Sequence, residues 1–168
     1  RQMCIRDSRY CGAPLETAEI SVCECRSCGR LQSIPLIDSA EKRELLLRAE
    51  QLRREQRYDK AIQLYEKMIA MSPVDADLYW ALALCRYGVL FFADGGLTLQ
   101  RTQAHSFISD SDYQQALKFA DEKQRRLMED IAALIDEKQR RISELSVGIS
   151  YDVLLCSSTD EESVGYSM

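Results

Sequence analysis

Residues 44–73 read ELLLRAEQLRREQRYDKAIQLYEKMIAMSP. Small side chains stand at Ala49 and Ala61. Large ones stand at Leu45, Leu52, Tyr58, Ile62, Tyr65 and Ile69, and Pro73 closes the unit. Its first half starts again at Asp75. Leu45 recurs as Tyr79 and Ala49 as Ala83, each 34 positions on (79 − 45 and 83 − 49). A small residue facing a bulky one at helical spacing is what two closely packed helices need.

A 34-residue helical period is that of the tetratricopeptide repeat. One such unit cannot bury its apolar face alone, so it stacks on neighbours, and the groove so formed usually holds another protein. The spacing predicts antiparallel helical hairpins. Asp38 and Glu41 resemble a capping box ahead of a helix from about Ser39 to Gln56. Asp59 predicts a cap for a helix from Lys60 to Met71, which Pro73 stops. Asp75 opens a third helix to about Tyr87.

Gly88, Gly95 and Gly96 then break the pattern, and Asp94–Ser109 reads as a long loop. From Asp112 to Leu145, apolar residues recur at steps of three and four with one gap at Gln124, which predicts a single long amphipathic helix. Its charged face offers i,i+4 pairs such as Glu122 with Arg126 and Glu137 with Arg141. Read as a coiled-coil seam, the stripe is interrupted by Gln124 and Lys138. Gly148 is expected to end the helix, and Tyr151–Cys156 reads as a short strand.

The chain has 168 residues, a net charge of −5 and a hydrophobic fraction of 46%. That acidic balance argues against a nucleic-acid partner, since phosphate binding needs a concentrated basic face; Arg26 and Arg30 are too few. No stretch is long and apolar enough to cross a bilayer, Leu82–Ala93 being the best candidate and carrying Arg86. With no secretory signal in sight, a cytoplasmic protein is expected. The chain opens on Arg1 without an initiator Met, and both ends read as cut; Arg1–Ser8 resembles translated sequencing-adapter read-through.

Five of the 7 cysteines precede Gly29. In an intracellular chain such a cluster reads as metal ligands before it reads as disulfides. Cys25-Arg26-Ser27-Cys28-Gly29 has the spacing with which two thiolates grip one tetrahedral zinc, the glycine freeing the backbone to turn. Cys11-Gly12 matches the end of a second such turn, but Ser8 stands where its first cysteine would be. The candidate set is Cys11, Cys25, Cys28 and Cys23; the fourth ligand is Cys23 or Cys4, or it is missing. A reduced thiol cluster and a redox Cys-x-x-Cys are the rival readings. Cys85 and Cys156 read as structural thiols, and His105 as a surface loop residue. Trp80, Tyr79, Tyr87, Phe91 and Phe92 read as helix packing rather than a ligand box. No complete active site is visible.

The order of these pieces resembles a bacterial family whose members carry a zinc ribbon, a tetratricopeptide-like helical region and a TIR (Toll/interleukin-receptor) domain. The resemblance rests on Cys11-Gly12-Ala13, on Cys25–Gly29 with Gln32 and Pro35, and on Tyr58, Asp59, Ala61 and Tyr65. It continues through Pro73, Asp75, Ala76, the run Tyr79–Gly88, Asp112-Tyr113 and Ala116-Leu117, and ends on Tyr151–Cys156. It implies a zinc-ribbon-like module over residues 1–36, a helical region over 37–147 and the start of a TIR domain over 148–168. It also implies a structural zinc, a protein partner or self-association, and a non-catalytic role for this stretch in signalling or defence. The alternative is that it belongs to an NAD-cleaving TIR enzyme whose catalytic glutamate lies downstream, a role that Glu161 and Glu162 do not take.

Overall fold

A computed structural model of the chain describes residues 7–16 and 21–157, with 147–157 described as backbone only. The fold is mainly helical. Strands β1 (Val22–Glu24) and β2 (Leu31–Ser33) pair antiparallel, with Cys23 opposite Gln32. Helices α1 (Ala40–Arg54), α2 (Tyr58–Met71) and α3 (Ala76–Arg86) follow. Strands β3 (Val89–Phe91) and β4 (Leu97–Leu99) form a second antiparallel pair. A 3-10 turn at Phe107–Ser109 leads into α4 (Ser111–Phe119) and α5 (Glu122–Ser157).

Helix α1 packs on α2, α2 on α3, and α3 on α4. Ala49 and Ala61 are fully buried, as are Tyr65 and Met68 beside them. Helix α3 is buried on both faces. Leu78, Ala81, Leu82 and Cys85 join the α1–α2 core. Ala76, Trp80, Ala83, Leu84 and Tyr87 join a second core with Phe107, Tyr113, Ala116, Met128 and Ile135. A helix that is apolar all round belongs in the middle of a stack. Tyr113 and Ala116 in α4 repeat the Tyr-x-x-Ala spacing of Tyr58 and Ala61 in α2, and all four are buried.

Several boundaries differ from the expectation. Ser39, not Asp38, caps α1, accepting a hydrogen bond from the Lys42 amide at 3.2 Å. Helix α2 starts at Tyr58, before Asp59 could cap it, and Asp59 instead pairs with Arg101 at 2.8 Å. Asp75 caps α3 as expected, accepting from the Asp77 amide. The segment read as a loop carries β4, which pairs with β3 just ahead of it across Asp94-Gly95-Gly96, with Gly95 at φ +89°. The expected single helix from Asp112 is two. It breaks at Ala120, whose ψ of 139° is extended. Asp121 and Gln124 then cap α5 reciprocally: each backbone amide donates to the other's side chain, at 3.2 and 2.9 Å. Gln124 is thus a cap rather than a flaw in an apolar seam.

Helix α5 passes through Gly148, and Tyr151–Cys156 is helical backbone instead of a strand. A helix satisfies its amides and carbonyls locally, whereas a strand needs a partner that the described residues do not provide. The pairs Glu122–Arg126 and Glu137–Arg141 form as expected. Among the described residues, no helix is long and apolar enough to cross a membrane.

The link from α1 to α2 turns on Gln56, which holds φ at +58°. Its amide bonds the Arg53 carbonyl and the Arg57 amide bonds that of Leu52, closing the helix end. A side chain is disfavoured in this left-handed conformation and glycine is not. Gln56→Gly is therefore expected to stabilise the fold by about 0.5–1 kcal/mol, read as a raised urea midpoint at unchanged slope.

Candidate metal centre

Two backbone turns of the same form face each other at the N-terminal module. In the second, Gly29 holds φ at +68° and its amide bonds the Cys25 carbonyl at 2.7 Å. In the first, Gly12 holds φ at +74° and its amide bonds the Ser8 carbonyl at 2.9 Å. The glycines take a left-handed turn that other residues resist. Cys11, Cys25 and Cys28 are thereby gathered with their sulfurs all within 4.8 Å of one another. The Cys11 and Cys25 sulfurs lie 3.6 Å apart.

Three soft sulfur donors on two tight turns fit a zinc ion. Zn–S bonds of about 2.3 Å in a tetrahedron put the sulfurs about 3.7 Å apart. An amide donor from Ala13, ahead of the Ser8 hydroxyl, pulls the Cys11 thiol down to about 6, which favours the thiolate that binds metal. Burial pushes the Cys28 thiol up, opposed by the Arg30 amide.

Cys23 stands apart from this group. Its buried thiol donates to the carbonyls of Glu16 and Glu24, at 3.7 and 3.5 Å. It packs with Leu15 and Ile34 beneath the turns. The group whose sulfurs lie within 4.8 Å of one another is Cys11, Cys25 and Cys28, while Cys23, offered with Cys4 as the fourth ligand, packs in the small core beside Cys25. Cys4 lies outside the described residues. The Ser8 Oγ lies 3.7 Å from the Cys28 sulfur.

The module is bound to the helices by charge and by rings. Arg9, inside the first turn, donates two hydrogen bonds to Asp77 of α3 at 3.1 and 2.8 Å and stands 3.8 Å from Glu50 of α1. Asp77 is fully buried and the Arg9 side chain is 6% exposed. Glu50 also accepts from Arg53 at 2.8 Å and from the Tyr65 hydroxyl at 2.7 Å. Burial would raise the Glu50 carboxyl, but the Arg53 and Arg9 charges and the Tyr65 hydroxyl outweigh it and hold it at about 2. Tyr10 packs on Phe91 with ring centres 4.8 Å apart. Arg30, in the second turn, donates to the Ala93 and Asp94 carbonyls of the β3–β4 loop. Gln124 of α5 donates to Ser33 at 3.0 Å. A cavity of about 310 Å³ opens between the module and α1, walled by Arg9, Ile34, Leu46, Glu50 and Arg54.

The other sequence candidates have structural places. Cys85 is buried in the α1–α3 core, which pushes its thiol up to about 12. Cys156 lies where only backbone is described. His105 is half exposed, its Nε2 3.1 Å from Asp110, the residue that caps α4. Ser106 bonds Asp136 rather than the imidazole. Trp80 and Tyr87 meet Phe107 edge-on inside the core, and Tyr79 stacks on Phe119. Phe92 is exposed.

Comparison with family models, with curated proteins and with solved structures returns no match to this chain.

Proposed function

We propose that the chain is the non-catalytic protein-interaction and regulatory region of a bacterial TIR-domain signalling or defence protein, cytoplasmic and carrying a structural zinc. It works by holding a protein partner or a second copy of itself. The observation that carries this reading is the reuse of one packing device. Alanines lie buried beside tyrosine rings in α2 and again in α4, each helix packed on the one before it. Stacked hairpins of this kind make a rigid surface whose natural ligand is another protein. Zinc, when bound, would staple a module too small to build a core of its own. Cys11, Cys25 and Cys28 would hold it.

Two measurements test the role. The purified chain is expected to retain a partner in pull-down from a bacterial lysate, or to elute as a self-associated species in size-exclusion chromatography. The chain is also expected to leave NAD intact on incubation. An inert monomer that captures nothing would count against the interaction role, and NAD turnover by the chain would overturn the non-catalytic assignment.

A further inference from the structure

We propose that Ser8 is the fourth metal ligand, giving a site of three thiolates and one hydroxyl oxygen. The inference rests on the zinc reading above and adds a residue to it.

The geometry of the first turn assigns the role. The Ser8 Oγ accepts hydrogen bonds from the amides of Tyr10 and Cys11, at 3.2 and 3.3 Å. Two N–H dipoles aimed at one atom stabilise negative charge on it, which is what a metal-bound oxygen carries. The same Oγ lies 3.7 Å from the Cys28 sulfur. With Zn–S at about 2.3 Å and Zn–O at about 2.1 Å, a tetrahedral edge between sulfur and oxygen is about 3.6 Å. The Ser8 Oγ thus faces the Cys28 sulfur from the first turn while the amides of that turn hold it.

The rival occupants of that corner are Cys23 and water. The Cys23 thiol is engaged by the Glu16 and Glu24 carbonyls. Ser8 is 1% exposed, so its hydroxyl is turned inward rather than out to solvent. A hydroxyl binds zinc more weakly than a thiolate, which makes this a looser site than a four-cysteine ribbon and one that a single substitution can tighten.

The test uses the full chain loaded with cobalt(II), whose absorption reports the donor set, and follows its displacement by zinc. Wild type is expected to give a tetrahedral spectrum with three-sulfur charge-transfer intensity. Ser8→Ala is expected to weaken metal binding at least about tenfold and to alter the ligand-field bands. Ser8→Cys is expected to bind about 100-fold more tightly and to gain one further sulfur's worth of charge-transfer intensity. Circular dichroism of each variant checks that the helices persist.

A Ser8→Ala spectrum and affinity equal to wild type would overturn the assignment, as would a spectrum changed by Cys23→Ser and not by Ser8→Ala. Binding by Ser8→Cys alone would overturn it while keeping the zinc-ribbon reading. Binding by neither would sink both.

Discussion

Arg9→Ala is expected to destabilise the chain by about 3–5 kcal/mol, the cost of stripping one partner from a buried ion pair. Arg9 sets its guanidinium against both oxygens of Asp77, which is fully buried at the start of α3. Removing the guanidinium leaves that buried carboxylate beside the Asp75 carboxylate without its cation and also takes one cation from Glu50. The double variant Arg9→Met with Asp77→Leu is expected to recover much of the loss, because no uncompensated charge remains buried. Urea unfolding followed by circular dichroism reads both effects. A loss below about 1 kcal/mol for Arg9→Ala would mean that the module is only loosely attached to the helices.

The same network gives a pH signature. The Glu50 carboxyl is lowered from 4.5 to about 2. A lowered carboxyl contributes stability that is present above 4.5 and is lost as pH falls toward 2. Glu50→Gln is therefore expected to be less stable at neutral pH and to show a shallower acid limb between those values.

Metal removal is the second large effect. A ligand bound only by the folded state, at a thousand times its dissociation constant, adds about 4 kcal/mol of stability. For a chain of this size that corresponds to a melting temperature raised by roughly 8–16 °C. Chelation of the zinc-loaded protein is expected to remove that increment. Cys25→Ala is expected to abolish it, because Cys25 is fully buried and its sulfur is one of the three gathered donors. The loss should reach the helices, since Arg9 and Arg30 sit within the two turns and reach α3 and the β3–β4 loop. Equal melting curves with and without zinc would refute this coupling.

Local signals in the sequence were enough for α1, α2 and α3, because each has a clear apolar period and a breaker after it. Cys25–Gly29 and Cys11-Gly12 likewise announced two turns whose sulfurs meet. The β3–β4 hairpin was also readable. Val89-Leu90-Phe91 and Leu97-Thr98-Leu99 flank Asp94-Gly95-Gly96, the composition of a hairpin loop. The break before α5 had its own mark, the Asp121-x-x-Gln124 box, which the apolar period on either side concealed.

What stayed hidden was tertiary. Nothing in the order of residues says that Arg9 reaches across 68 positions to Asp77. Nor does it say which way Cys23 faces. Cys23 and Cys25 are two apart near a strand end, and only the pairing of β1 with β2 and the turn after it separate a packing thiol from a gathered one. Ser8 could be located as the odd member of a knuckle, but that its oxygen lies 3.7 Å from the Cys28 sulfur is a fact of the folded turn.

The most direct test of the whole account is the zinc content of the chain after refolding in excess zinc and passage over a chelating resin. Binding through Cys11, Cys25, Cys28 and Ser8 predicts about one zinc per chain, falling to none in Cys25→Ala. Zinc-free wild-type protein that is nonetheless folded and helical would contradict it.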